Sequence, residues 1–201
     1  HESLGDVNGD GYSDFIIFTS YVSSEVYSEP VNLVLGSANP SLGEFDIANS
    51  NATFYHPNYD LHSFLSVGDV NGDGYSDFII SLEVSYKNYE GFLVLGRPTG
   101  WKGIINISDI IDPNLKFSPS DVIFSIGDFN NDSYDDVALL DSGIKLYFGQ
   151  KEFPYLSFYD TIAVSRPGGA YSSAIYYFGS LEDVNADGYD DFFVSYPPAA
   201  T

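Results

Sequence analysis

The segment DVNGDGYSD at residues 6–14 decides the fold of this chain, because it returns three more times. It recurs unchanged at residues 69–77, as DFNNDSYDD at residues 128–136 and as DVNADGYDD at residues 183–191. The spacing between copies changes little along the chain. A repeat of this kind is the sequence signature of solenoids, propellers and similar arrays. We therefore expect one structural unit that is built repeatedly.

Short apolar stretches flank each copy and predict strands. They contain β-branched and aromatic residues and are too short for helices. Before the motif lie stretches such as Phe64–Gly68 and Ile123–Gly127. The runs directly after it are Phe15–Phe18, Phe78–Ile80, Val137–Leu140 and Phe192–Val194. A third strand ends in glycine at Asn32–Gly36, Phe92–Gly96 and Lys145–Gly149, and plausible fourth strands lie at Ile104–Ile107 and Ser157–Val164.

Four strands per repeat predict the fold class. Small antiparallel sheets of four strands that recur along a chain are typical of β-propeller blades. We expect an all-β, β-propeller-like array with three full repeat units and partial ends, and a single domain over residues 1–201. No amphipathic helix is predicted, and residues 109–112 form one short turn at most.

Composition and charge exclude several classes of protein. The chain has 201 residues, of which 44% are hydrophobic and 17% aromatic, so a folded core is expected. Its 29 acidic against 7 basic residues give a net charge of −22, which repels nucleic acid and anionic membranes. No apolar run is long enough to span a bilayer, so membrane insertion is not expected. The absence of cysteine excludes disulfides and thiolate metal sites.

The repeated motif has the pattern of a calcium-binding loop. Oxygen-bearing side chains stand at positions 1, 3, 5 and 9, for example Asp6, Asn8, Asp10 and Asp14. Calcium binds 6–8 oxygens, and a tight loop with alternate side chains turned inward supplies them. The backbone carbonyl of position 7, here Tyr12, adds a further ligand. Glycine at position 6 permits the positive φ that such a turn needs.

Two other interpretations of the motif were weighed. An EF-hand loop needs a glutamate at position 12 and flanking helices, but position 12 is apolar in all four copies and the flanks predict strands. Hairpin turns rich in Asn and Gly form without metal. Such turns do not need several aspartates at fixed spacing, because the repulsion between them costs stability.

These motifs resemble the FG-GAP repeats of integrin α-subunit propellers and of many surface proteins. The resemblance includes the strand ending in glycine before the loop, the DxNxDGxxD loop itself and the following strand. It implies that the loop joins the first two strands of a blade and binds structural Ca²⁺ at the propeller rim. The ligands it implies are Asp6, Asn8, Asp10, Tyr12 and Asp14; Asp69, Asn71, Asp73, Tyr75 and Asp77; Asp128, Asn130, Asp132, Tyr134 and Asp136; and Asp183, Asn185, Asp187, Tyr189 and Asp191.

The chain departs from this family pattern in two ways. The third copy has Asn131 and Ser133 where glycines stand in the first two, so its calcium affinity is expected to be lower. A seven-bladed ring needs a much longer chain. A fragment of a larger propeller, a ring of few blades, and blades completed by neighbouring copies are therefore all open.

No catalytic set is predicted, and the chain is not expected to be an enzyme. His1, His56 and His62 are the near-neutral bases, and we expect the last two to be surface residues. No serine lies in a nucleophile motif. The acidic pairs Asp135-Asp136 and Asp190-Asp191 lie inside the repeated motif, and we interpret each as a ligand beside a solvated neighbour.

The expected function is that of an extracellular calcium-binding adhesion or scaffold module that binds a protein or a glycan. Two alternatives are a subunit of an extracellular filament that self-associates through strand edges, and a non-catalytic lectin-like domain of a larger secreted protein. Sequons in a secreted chain predict N-glycans at Asn51 and Asn106.

Overall fold

The computed structural model describes residues 1–18, 30–39, 44–86, 88–117, 122–140, 144–153, 160–162 and 177–195. Within these ranges the chain consists of strands and loops, with two short 3₁₀ turns at Ile47–Asn49 and Ile107–Asp109 and no α-helix. The all-β prediction is therefore confirmed. None of the described residues belongs to a helix that is long and apolar enough to cross a membrane.

Fifteen strands lie in the described part of the chain. In chain order they are β1 (Glu2–Gly5), β2 (Asp14–Phe18), β3 (Val31–Val34), β4 (Ala52–Tyr55), β5 (Asp60–Gly68), β6 (Asp77–Ser85), β7 (Asn88–Val94), β8 (Gly103–Asn106), β9 (Lys116–Phe117), β10 (Val122–Gly127), β11 (Asp136–Leu140), β12 (Ile144–Tyr147), β13 (Asp160–Ile162), β14 (Tyr177–Glu182) and β15 (Asp191–Ser195).

These strands form several sheets, and none is closed into a barrel. The strand orders are β1-β2-β3-β4-β8, β5-β6-β7-β9, β10-β11-β12-β13 and β14-β15. Neighbouring strands pair antiparallel in the series β1-β2-β3-β4, β6-β7-β9, β10-β11-β12-β13 and β14-β15, and β8 pairs parallel with β4. Each sheet begins with a strand, one copy of the repeated loop and a second strand. Every loop thus joins the first two strands of its sheet.

The predicted strand at Ile104–Ile107 exists but belongs to a different sheet. β8 lies parallel to β4 in the first sheet, with Ile104 beside Thr53. The N–H of Gly103 donates to the carbonyl of Asn51 at 2.9 Å. Ile105 is buried in the core of that sheet, which gives β8 an apolar reason to pair there. The second sheet instead ends in β9, a strand of two residues that sequence reasoning missed.

The other predicted fourth strand, Ser157–Val164, contains β13. The structure describes residues 160–162 of this range, and they pair antiparallel with β12. The remaining residues of the prediction lie outside the described ranges.

The chain divides into two compact units. The first comprises residues 1–66 and 73–119, and the second comprises residues 67–72 and 120–201. The boundary passes through the second copy of the loop, so each half of that loop is described with its own unit. The assignment of residues 1–201 to a single domain stays a prediction.

Each unit has its own apolar core. In the first unit Phe54, Phe78 and Trp101 pack together, with ring centroids 6.4 Å apart for the two phenylalanines and 5.9 Å apart for Phe78 and Trp101. The indole N–H of Trp101 is satisfied by the carbonyl of Val7 at 3.1 Å. In the second unit the buried residues Phe124, Ile126, Ala138, Ile144 and Leu146 form a smaller cluster. Within a strand, core side chains such as Phe78, Ile80 and Leu82 stand two residues apart, because alternate residues of a strand point to the same face.

Candidate metal-binding loops

We number the residues of each loop 1–9 and name the loops one (6–14), two (69–77), three (128–136) and four (183–191). Loop one winds around the carboxylate of Asp6 at position 1. Oδ1 of Asp6 accepts the N–H of Gly9 at 2.7 Å and of Asp10 at 3.1 Å, and Oδ2 accepts the N–H of Gly11 at 2.7 Å. A negative side chain is thus surrounded by backbone donors, which fixes the turn.

Positions 3 and 5 of loop one make further local bonds. Oδ1 of Asn8 accepts the N–H of Asp10 at 2.9 Å, and Oδ1 of Asp10 accepts the N–H of Tyr12 at 3.0 Å. The side-chain nitrogen of Asn8 donates to Oδ2 of Asp10 at 3.0 Å. These two-residue bonds are Asx turns, which place alternate side chains on one side of the loop.

Loops three and four repeat this arrangement around their position-1 aspartates. In both, Oδ1 accepts the N–H of position 5 and Oδ2 accepts the N–H of position 6. The donors are Asp132 at 2.9 Å and Ser133 at 2.8 Å for Asp128, and Asp187 at 3.0 Å and Gly188 at 2.8 Å for Asp183. In the second half of loop two, Oδ1 of Asp73 accepts the N–H of Tyr75 at 3.0 Å, as in loop one.

Every loop has positive φ at positions 4 and 6, whichever residue stands there. Glycine occupies most of these positions, as at Gly9 (φ 74°) and Gly11 (φ 88°). Asn131 (φ 57°), Ser133 (φ 73°) and Ala186 (φ 60°) adopt the same left-handed conformation at some cost, since each has a Cβ. The backbone of loop three therefore follows the same path as the other loops, although Asn131 and Ser133 make its left-handed positions more strained than glycine would.

The aspartate at position 9 is completely buried in loops one, two and three. Oδ2 of Asp14 accepts the N–H of Val7 at 2.9 Å, and Oδ1 accepts the N–H of Gly36 at 2.7 Å. Burial raises the pKa of Asp14 to about 6, against the lowering effect of these two bonds, and nearby Asp10 and Asp6 raise it further. Burial likewise raises the pKa of Asp136 to about 7. Neither Asp14 nor Asp136 forms a salt bridge with a described residue.

The glycine at the end of the third strand holds this buried carboxylate, a role that the sequence did not reveal. Besides Gly36, Gly96 donates to Asp77 at 2.7 Å and Gly149 donates to Asp136 at 2.8 Å. A Cβ on Gly36 would lie 2.5 Å from the carbonyl oxygen of Ser13. Glycine is required here because the backbone of the loop occupies the space of a side chain. Its recurrence after the third strand was the available signal.

The donor set of loop one fits a hard divalent cation. A carboxylate has about four lone-pair sites, and Asp6 uses three of them while Asp10 and Asp14 each use two. Acceptor capacity therefore remains at every predicted side-chain ligand. Asp14 is also a buried carboxylate without a cationic partner among the described residues, and such a charge is stabilised by a bound ion. Calcium, which takes carboxylate, amide and carbonyl oxygens, matches these groups.

The described residues hold no ready-made cluster of three or more His, Cys, Asp or Glu side chains suited to a metal ion. This agrees with the hydrogen bonds in loop one, where the carboxylates of Asp6 and Asp10 turn toward backbone N–H groups. The third predicted side-chain ligand, Asn8, is an amide and does not count toward such a cluster.

Position 8 joins each loop to the one before it, and sequence reasoning missed this role. The N–H of Ser76 donates to the carbonyl of Asp6 at 2.8 Å, and Oγ of Ser76 accepts the N–H of Asp6 at 3.1 Å. Asp135 makes the same pair of bonds with Asp69, at 3.2 and 2.7 Å, and Asp190 makes them with Asp128, at 3.2 and 3.0 Å.

The interpretation of Asp135 and Asp190 as solvated neighbours is therefore wrong. Each lies partly buried against the preceding loop. Burial raises the pKa of Asp135, and its bond from Asp69 lowers it. The residue before each preceding loop must be small, since a Cβ on Gly68 would overlap Asp135 and a Cβ on Gly127 would overlap Asp190.

The fourth repeat exposes side chains that are buried in the others. Leu181, Val184 and Phe193 are 43%, 65% and 41% exposed. Their counterparts in the first repeat, Leu4, Val7 and Ile16, are all 0% exposed. Glu182, with φ 54°, stands where the earlier repeats have glycine before the loop. In the other repeats the position-8 residue of the next loop lies against this glycine, so the side chain of Glu182 would fill that space.

The two internal histidines differ in their surroundings. His56 is buried, which corrects the prediction of a surface residue, and its Nδ1 accepts the N–H groups of Asn58 at 3.2 Å and Tyr59 at 3.1 Å. Burial lowers the pKa of His56. His62 is exposed and stacks on Tyr89 with ring centroids 4.2 Å apart. Nothing in these contacts pairs either histidine with a nucleophile.

The sequon at Asn51 lies beside a depression of about 480 Å³ on the first sheet. Asn51 is exposed, and its Oδ1 accepts the N–H of Leu35 at 2.9 Å. The buried Asn32 lines the depression, and its Oδ1 accepts hydroxyl bonds from Thr53 at 2.9 Å and Ser50 at 3.2 Å. Asn106 is partly buried and caps the turn at Ile107–Asp109 through its Oδ1. Glycosylation of Asn51 and Asn106 stays a prediction.

Comparisons with known proteins add no assignment to this geometry. The chain matches no family model, and a search of curated proteins found no significant match.

Proposed function

We propose that the chain is a calcium-binding repeat module of an extracellular adhesion or scaffold protein. The observation that carries the proposal is the buried Asp14, which has no cationic partner in the described part of the chain and ends a loop that has spare oxygen acceptors. The same loop geometry recurs around Asp128 and Asp183. Repetition of one geometry with different residues at positions 4 and 6 supports a common ligand for the loops.

Calcium would act structurally in this proposal. The ligands in loop one would be the side chains of Asp6, Asn8, Asp10 and Asp14 with the carbonyl of Tyr12, and the equivalent residues would serve in the other loops. A bound ion supplies positive charge between the first two strands of a sheet. It would offset the repulsion among three carboxylates and hold the turn closed.

A propeller-like, FG-GAP arrangement of the sheets is part of the proposal. Support comes from the antiparallel order β10-β11-β12-β13 and from the position of each loop between the first two strands of its sheet. The partner is a protein or a glycan, since the charge of −22 disfavours nucleic acid and anionic membranes. No hydrolytic activity is proposed.

Calcium titration of the chelator-treated chain tests the function. We expect calorimetry to detect binding with dissociation constants of about 10⁻⁴–10⁻³ M or tighter, the range of extracellular modules. Magnesium is the control ion, because its smaller octahedral shell suits these loops less well. Absence of any calcium heat or calcium-dependent stabilisation would refute the proposal.

A filament subunit is a second candidate, favoured by the exposed Leu181, Val184 and Phe193. Exposed apolar side chains that lie close together favour association with another protein surface. Sedimentation velocity across a hundredfold range of protein concentration separates the two candidates. Growth of the sedimentation coefficient that a Val184→Asp change abolishes would support the filament, and a constant monomer would exclude it.

A non-catalytic lectin-like domain is a third candidate, favoured by the depression at Asn32. The residues around it offer uncharged amide and hydroxyl groups beside the exposed apolar side chain of Ile104. Neutral saccharides require such groups for hydrogen bonding. Glycan-array binding that is lost in Asn32→Ala and retained in Asn106→Ala would support this candidate.

A further inference from the structure

The links between loops connect residues that the proposed function uses as ligands. Position 8 stands between the ligands of positions 7 and 9 in its own loop, as Ser76 stands between Tyr75 and Asp77. Through its two bonds it also fixes the backbone of the position-1 ligand in the preceding loop, here Asp6. When the backbone of one loop becomes ordered, the position-1 ligand of the preceding loop is therefore ordered with it.

The first two links contain additional contacts. Tyr75 lies over the preceding loop, where a Cβ on Gly9 would be 2.5 Å from its Cε1, and Tyr134 lies in the same way over Gly72 at 2.6 Å. The residue after the strand-ending glycine adds another bond. Arg97 donates to the carbonyl of Val7 in loop one, and Gln150 donates to the carbonyl of Val70 in loop two, each at 2.9 Å.

The third link differs in its contacts. Asn131 stands at position 4 of loop three in place of glycine, and the corresponding Tyr189 is 47% exposed. The paired bonds between Asp190 and Asp128 recur, and a Cβ on Gly188 would lie 3.3 Å from Nδ2 of Asn131. Phe129 of loop three also packs against Phe192, which follows loop four, with ring centroids 5.4 Å apart. The position-8 bonds therefore join the loops in series, whereas the tyrosine contact over position 4 is found in the first two links.

We propose that these links couple the loops, so that calcium bound in one loop raises the calcium affinity of the next. This inference rests on the calcium-binding function proposed above. The cause is shared ordering. Because the ion that orders one loop also partly orders its neighbour, the neighbour loses less conformational entropy when it binds calcium. Coupling is reciprocal, so the effect must run in both directions along the series.

Repulsion between bound cations opposes this coupling. The ligands at position 5, Asp10, Asp73, Asp132 and Asp187, are all exposed, so their surroundings have a high dielectric constant and contain salt ions. At physiological ionic strength charges separated by more than about 8 Å are largely screened. The hydrogen bonds at position 8 are direct and are not weakened in this way. We therefore expect the net coupling to be positive.

Hydrogen exchange on the full chain tests the coupling loop by loop. Asp73→Ala removes a ligand of loop two that lies on the surface, away from the core. We expect the calcium concentration that half-protects peptides spanning loops one and three to rise at least about fivefold, the lower end of typical coupling. Loop four, two links away from loop two, should change least. Loss of protection confined to loop two would overturn the proposal.

A matched pair of serine variants tests the link itself. Ser76→Ala removes the hydroxyl that accepts the N–H of Asp6, whereas Ser13→Ala changes the same position of an identical loop whose hydroxyl bonds no described residue. We expect Ser76→Ala to weaken calcium protection of loop one, with little effect from Ser13→Ala. Equal effects of the two variants would contradict the coupling.

The outcomes distinguish this inference from the function on which it rests. If no loop of the unaltered chain gains protection with calcium, the proposed function fails. If all loops gain protection but Asp73→Ala and Ser76→Ala affect only their own loop, calcium binding stands and the coupling is refuted.

Discussion

The backbone N–H of Gly36 donates to the buried carboxylate of Asp14 across 22 residues of sequence, at 2.7 Å. This bond ties the end of the third strand to the last residue of the repeated loop. The equivalent bonds from Gly96 and Gly149 recur in the next two repeats. The glycine and the aspartate therefore form one structural unit, although they are far apart in sequence.

Gly36→Ala should destabilise the first unit. The new methyl group would meet the carbonyl oxygen of Ser13 at 2.5 Å, and backbone cannot move aside as a flexible side chain does. We expect a loss of about 1–3 kcal/mol in unfolding free energy, the usual cost of overpacking. Urea denaturation measures it. Gly11→Ala, where a methyl group meets nothing within 4 Å but φ is 88°, measures the separate cost of a left-handed backbone, which does not apply to Gly36. An unchanged midpoint for Gly36→Ala would show that the strand end has room.

Ser133→Gly should stabilise loop three. Ser133 has φ 73°, a conformation that costs a residue with a Cβ about 1–2 kcal/mol and costs glycine little. Part of this gain is offset by the greater freedom of glycine in the unfolded chain. We expect a higher melting temperature and tighter calcium binding in this loop. The reverse change in loop one, Gly11→Ser, should lower both. If both variants shifted stability in the same direction, the conformational explanation would be wrong.

Calcium should raise the melting temperature through the loops and nowhere else. Saturation at about 100 times the dissociation constant contributes about 2.7 kcal/mol per independent site. Asp73→Ala should remove part of the calcium-dependent shift measured by calorimetry, whereas Asp109→Ala, an exposed aspartate outside every loop, should leave it intact. Asp60 is a poorer control, because burial and nearby Glu83 raise its pKa and its removal changes stability by itself. Equal shifts in the two variants would mean that loop two binds no ion.

Protonation of His56 should destabilise the fold in mild acid. Burial holds its pKa below the usual 6.5, and its Nδ1 already accepts two backbone N–H groups. A lowered pKa in the folded state means that the contribution to stability is fully present above pH 6.5 and is lost as the pH falls through the folded value. Protonation of the buried Asp14 and Asp136, whose pKa values are raised, stabilises the fold over the same range, so the difference in melting between the unaltered chain and His56→Gln from pH 7.5 to 5 isolates the loss. His56→Gln should reduce the pH dependence, and the exposed His62→Gln should not. A pH profile that His56→Gln leaves unchanged would assign the effect to other groups.

The sequence by itself determined the strands, the repeat and the types of the candidate ligands. These features depend on local composition and spacing: short β-branched and aromatic runs predict strands, and oxygen side chains at positions 1, 3, 5 and 9 indicate candidate ligands. Glycine at position 6 also predicted its left-handed conformation, whereas the same conformation at position 4 was not predicted, and Ser133 and Ala186 show that other residues follow the same path.

Only the tertiary structure decided which distant residues meet. It placed β8 beside β4, because parallel pairing with burial of Ile105 depends on a neighbour far along the chain. It also buried Asp14, raised its pKa and paired Ser76 with Asp6. Position 8 appears in the sequence as an ordinary polar residue of a turn. Its role as the link between loops arises because successive repeats bring it against the backbone of a loop many residues earlier.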